Sequence, residues 1–158
     1  MPDWYVHPRR GLQLRGAYII GQVDLSRAQI IQCPLAFDTC RFEESVVLYQ
    51  ATTSDLVFTS CALPSLECDE LNLSASLHLT KTHLPQMALG GASFRGIVEL
   101  SEVRLVNPGG KALSADGIGA RGVFLIGTHV EGQVRFLGAN VSGHTAVVAG
   151  IGSLWRRE

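Results

Sequence analysis

Residues 56–105 read LVFTSCALPSLECDELNLSASLHLTKTHLPQMALGGASFRGIVELSEVRL, and their rhythm decides the fold. Apolar residues return every five positions: Phe58, Leu63, Cys68, Leu73, then Leu79, Leu84, Leu89, Phe94, then Leu100 and Leu105. The starts Phe58, Leu79 and Leu100 lie twenty-one residues apart. A fixed period of that length is the mark of a repeat architecture, in which each unit buries its apolar side only against its neighbours. A helix would want spacings of three and four, which nothing here sustains.

Worked outward in both directions, the rhythm covers nearly the whole chain. Four inward residues complete one circuit of a square. Side one reads Leu14, Phe37, Phe58, Leu79, Leu100, Leu125 and Val147, and side two reads Ile19, Phe42, Leu63, Leu84, Leu105 and Val130. Side three reads Leu25, Leu48, Cys68, Leu89, Leu113 and Phe136, and side four Ile30, Thr53, Leu73, Phe94, Ile118 and Val141. A strand alternates its faces, so the residue two positions earlier also points inward. On sides one and three these partners are large, as in Leu56, Leu77, Val46 and Met87; on sides two and four they are mostly small, as in Ala17, Cys40, Cys61 and Ala92. Large and small sides alternating around the coil fill a narrow tube without voids. Lys111 and Asp116 fall at inward positions and break the pattern together.

The segments VDLSR and AQIIQ (23–32), ALPS (62–65), LNLSA (71–75) and GANVSG (138–143) carry a five-residue unit. They resemble the pentapeptide-repeat family, whose unit is A-(D/N)-L-x-x. The resemblance implies an all-β, right-handed quadrilateral β-helix, here of about six coils. NPGGKALSADGI (107–118) and GQVRFLGANVSG (132–143) are similar to a group of long, loosely periodic actinobacterial repeat proteins, often labelled membrane-associated or oxidoreductase. No nicotinamide- or flavin-binding motif accompanies the similarity, and no cofactor is expected. The expected organisation is an N-terminal cap over residues 1–11, a β-helix over 12–148 and a C-terminal tail or cap over 149–158, where Trp155 would cover the last coil or pack on a second molecule. Coils bond to coils, so both ends are open edges through which a homo-oligomer, a homodimer for instance, could assemble.

Bulk properties narrow the function. A net charge of −1 lacks the basic excess of a general nucleic-acid binder, so direct nucleic-acid binding is not expected. Charged residues make up 17% and apolar residues 46%, which places the chain among folded proteins. No apolar run approaches the roughly 18 residues of a membrane span. Residues 1–10 (MPDWYVHPRR) have no apolar centre of the secretory kind, so a cytoplasmic location in a bacterial cell is expected. Cys33, Cys40, Cys61 and Cys68 show no C-x-x-C and no zinc spacing, and reduced thiols are expected. Cys40 and Cys61 should stack in adjacent coils about 5 Å apart as small core residues.

With the interior taken up by packing, function belongs to the outward columns. Side two presents Tyr18, Arg41, Ala62, His83, Arg104 and His129, a stripe without an acid. Arg41, His83, Arg104 and His129 are the candidate anion- or partner-binding residues. A second candidate is an acidic patch of Glu43, Glu44, Asp55, Glu67, Asp69 and Glu70, suited to a basic partner. Lys111 and Asp116 are read as holding the NPGG loop, either by a mutual ion pair or through the loop's amides. No motif of metal, phosphate-loop or nucleophile chemistry is present. The expectation is a non-enzymatic binding or scaffold protein with a protein partner. The alternatives are a DNA-mimicking modulator of a topoisomerase such as gyrase, as the family resemblance implies, and a sensing or accessory domain of a longer enzyme or defence system.

Overall fold

The computed structural model describes residues 4–7 and 11–148. It is all-β, with no helix among those residues, and its parallel strands stack into a solenoid of about six coils. Each short strand exists because its alternate side chains have a core to enter. Backbone N–H groups find carbonyls on the neighbouring coil, as in Leu48 N to Glu67 O (2.7 Å) and Cys68 N to Ala88 O (2.7 Å). Four ladders result, which we call faces one to four.

Face one is an eight-stranded sheet that runs from Trp4–His7 and Gly11–Arg15 through Leu56–Thr59 and Leu77–Thr80 to Thr145–Val148. Its register aligns Leu14, Phe37, Phe58, Leu79, Leu100, Leu125 and Val147, the column read from the sequence. Face two likewise aligns Ile19 with Phe42, and Leu84 with Leu105 and Val130. Trp4–His7 runs antiparallel to Gly11–Arg15 and occupies the outer edge of face one. The expected tail at 149–158, Trp155 included, lies outside the described residues.

The core is continuous. Phe58, Leu56, Leu71, Leu77, Leu79 and Leu100 are fully buried. The rings of Phe37 and Phe58 stack at 5.1 Å on adjacent coils, and Phe42 meets both edge-on. The small column of face two does more than fill space. Cys40 and Cys61 donate their thiols to the carbonyls of Leu14 and Phe37, both at 3.4 Å, and the hydroxyls of Thr82 and Thr128 reach those of Phe58 (3.4 Å) and Leu100 (2.8 Å). In these four coils a donor thus returns to face one of the coil before it, while coil five has Val103 at the position.

The fifth coil corrects the sequence reading. Two residues separate Leu84 on face two from Met87 on face three, whereas seven separate Leu105 from Leu113. The register pairs Leu113 with Met87 and Val134, and Gly119 with Ser93 and Asn140. Leu113 and Ile118 therefore occupy the earlier inward position of their strands, and Ala115 and Ala120 the later one. Lys111 and Asp116 do not point inward: Lys111 is exposed and Asp116 is half-buried at a corner. The extra residues form a bulge inside the strand Arg104–Ser114, where Val106 faces Glu131 and Lys111 faces Gln133. Asn107–Gly110 thus oppose the single residue Gly132. Gly132 has φ +125°, and a Cβ there would lie 2.5 Å from the Asn107 carbonyl oxygen, so the bulge requires glycine beneath it.

Two corners turn by one left-handed residue per coil. Between faces one and two these are Gly16, Thr39, Ser60, Lys81, Glu102 and Gly127, with φ from +48° to +64°. Between faces three and four they are Arg27, Gln50, Glu70, Gly91, Gly117 and Gly138. Each donates its N–H across the corner to a carbonyl of the next coil where one follows, as in Ser60 N to Thr80 O (2.8 Å).

Candidate functional site

Face two brings its expected stripe together. Tyr18 pairs with Arg41, Arg41 bridges to Ala62, Ala62 to His83, and His83 pairs with Arg104, which pairs with His129. The outward side chains therefore stand one above another at the strand spacing of about 4.8 Å. Arg41, His83 and Arg104 are exposed. Among the described residues none of the three has an ion-pair partner. His129 is half-buried, with its Nε2 2.9 Å from Glu131 Oε1. Glu43, two residues beyond Arg41, accepts the amide of Gly21 at 2.8 Å.

The acidic residues are divided rather than gathered. Glu43 and Glu44 lie where face two turns into face three, Glu67 on face three, Asp69 and Glu70 where it turns into face four, and Asp55 at the opposite corner, ahead of face one. Several are engaged in joining coils. Asp55 Oδ1 accepts Ser76 N (3.0 Å), Asp69 Oδ1 accepts Gly90 N (2.7 Å), and Glu70 accepts the Gln50 amide (2.7 Å), to which Arg27 Nε also donates on the coil below (3.2 Å). A Cβ at Gly90 would lie 2.9 Å from the Asp69 carboxylate, so the glycine lets that carboxylate close on its amide without shifting.

Asp116 repeats the work of Asp69 at the same corner. Its Oδ1 accepts Leu137 N at 2.9 Å, and its Oδ2 pairs with Arg135 at 2.8 Å. Asp116 is therefore not paired with Lys111. The bulge is closed instead by Asn107, whose Nδ2 donates to the Lys111 carbonyl at 3.1 Å. Nearby on face three the outward column runs Asp24, Val47, Glu67, Ala88, Ser114 and Arg135. Asp24 binds Ser26 through its hydroxyl and then its amide, which holds its carboxyl below the usual range. Where the column shrinks to Ala88, a recess of about 260 Å³ opens, bordered by Glu67, Asp69, Gln86, Lys111 and Ser114. Sequence reasoning missed this recess because the bulge that brings Lys111 to its edge leaves no mark in the apolar spacing.

The thiols at Cys40, Cys61 and Cys68 are buried and Cys33 is half-buried; all four are free. Burial pushes the Cys61 thiol up to about 11, and it raises Cys68 further. Neither is poised for nucleophilic or redox chemistry at neutral pH. No group of three or more potential metal ligands is found among the described residues, and no helix there is long and apolar enough to cross a membrane. Set against protein-family models, curated proteins and solved structures, the chain finds no match in any of the three.

Proposed function

We propose that the chain is a non-enzymatic binding protein of the pentapeptide-repeat type, a scaffold that uses face two to engage an acidic strip on a protein partner. The observation that carries this reading is the register of Arg41, His83, Arg104 and His129 in one outward column that holds no acid. Elsewhere the chain neutralises arginines across coils, Arg15 with Asp38 (3.0 Å) and Arg135 with Asp116 (2.8 Å). Glu43 and Glu131, two acids beside the column, are already engaged with Gly21 N and His129. A column that sets two arginines and two histidines on a fixed backbone suits an extended acidic partner, and strands fixed by their coils lose little freedom on binding.

Fluorescence anisotropy with labelled poly-L-glutamate at low ionic strength tests the reading. Saturable binding is expected, and Arg41→Ala with Arg104→Ala should weaken it about fivefold or more. The matched control is Arg95→Ala with Arg121→Ala at the edge of face four. An equal loss in the control would overturn the assignment to face two, and so would an unchanged affinity in the Arg41/Arg104 variant.

A further inference from the structure

We propose that the recess beside the bulge of coil five binds a small zwitterion of the free α-amino-acid class, with its ammonium group on Glu67 and its carboxylate on Lys111. This rests on face three and stands apart from the reading of face two.

The location comes first. Coil five carries five residues that the preceding coil lacks between faces two and three. In repeat proteins such insertions collect on the face that meets a ligand or partner. This one is built rather than slack: Asn107 closes it onto the Lys111 carbonyl at 3.1 Å, and it sits against the Cα of Gly132. The backbone that carries Lys111 is thereby fixed at one wall of the recess.

The floor follows from the outward column. Ala88 stands between Glu67 and Ser114 on adjacent coils, so a methyl group separates two longer polar side chains. A recess of about 260 Å³ has room for a small ligand rather than for a folded partner.

Charge selects the ligand. Lys111 borders the recess together with Glu67 and Asp69, yet no N···O distance between the lysine and either carboxylate comes within the 4.0 Å of an ion pair. Asp69 is held in place by Gly90 N, so it supplies fixed negative charge, while Glu67 makes no such bond and can close on a donor. A lone amine entering here would meet Lys111, and a lone carboxylate would meet two acids. A molecule that carries both charges a few ångströms apart joins the two walls. Gln86 and Ser114 supply further polar groups at the rim. The recess is open to solvent, so affinity on the order of 1–10 mM is expected.

An NMR titration of the ¹⁵N-labelled chain with L-glutamine, n-butylamine and propionate decides the matter. L-Glutamine should shift the amides of Glu67, Ala88 and Ser114 saturably, and over the same range neither half-molecule should. Glu67→Gln and Lys111→Met should each weaken L-glutamine binding roughly tenfold. Ala88→Phe, which fills the recess from its floor, should abolish it. Each variant's amide dispersion confirms its fold in the same spectrum. Absence of saturation by L-glutamine, equal binding of n-butylamine or propionate, or unchanged binding in a folded Ala88→Phe variant would overturn the proposal.

Discussion

At the scale of single residues, burial decides which chemistry is available. Cys40 and Cys61 are each 2% exposed and Cys68 is fully buried, whereas Cys33 retains partial access. A thiol reagent at pH 8 should therefore titrate one cysteine in the native protein and four in denaturant. Cys33→Ser should abolish the native signal, and fast reaction of Cys61 would contradict its place beneath face two. The same burial gives a pH dependence. Because the Cys61 thiol is raised from 9.0 to about 11, its protonated form is favoured by folding. Its contribution is fully present below pH 9 and is lost as pH rises through about 11. The urea midpoint should fall across that window, and Cys61→Ala should flatten the fall; a midpoint insensitive to pH between 9 and 11 would refute the linkage.

At the scale of elements, the corners matter as much as the strands. Ser60 and Lys81 turn the chain at φ +52° and +48°, a conformation that costs an L-residue about 1–2 kcal/mol. Glycine removes that cost but gives back roughly 0.5–1 kcal/mol of unfolded-chain entropy. Ser60→Gly and Lys81→Gly should thus each stabilise the solenoid by about 0.5–1 kcal/mol, read as a higher urea midpoint at constant slope. A lower midpoint would mean that the side chains at this corner contribute more than the strain costs. These corners were not legible in the sequence, because Thr39, Ser60, Lys81 and Glu102 share no side-chain chemistry; only the backbone is common to them. The strands were legible, since faces one and two follow from apolar spacing alone. The misplacement of coil five has a physical cause. Side chains alternate with period two, so a shift of two residues keeps inward residues inward. Leu113 and Ile118 satisfy either register, and the apolar pattern could not choose between them. The two charged residues at supposed inward positions were the one sign of error. The register of the face-two column was legible because it lies ahead of the bulge in coil five, while the recess on face three, bordered by Lys111 from the bulged strand, could not be read.

At the scale of the whole molecule, stability should be graded along the axis. Each coil touches only its neighbours, so folding energy is close to a sum of coil interfaces. The inward residues of coil one, Leu12, Leu14, Ile19, Val23, Leu25 and Ile30, are only partly buried, whereas those of coil three are covered on both sides. Large apolar side chains are also exposed on coil one, Ile20 at 75% and Ile31 at 70%. Hydrogen bonding does not distinguish the two regions. Leu25 N and Ile30 N reach the carbonyls of Val47 (2.8 Å) and Thr52 (2.7 Å), as closely as Cys68 N and Leu89 N reach theirs on the next coil, 2.7 Å each. Amide exchange therefore isolates stacking from hydrogen bonding. Leu25 and Ile30 should exchange faster than Cys68 and Leu89 by on the order of a hundredfold, with intermediate rates at Leu48. Mass spectrometry of peptic fragments or NMR would resolve the gradient. Equal protection from coil one to coil four would show that the solenoid opens only as a unit, and that coil one gains from its edge strand at Trp4–His7 a cover as good as another coil.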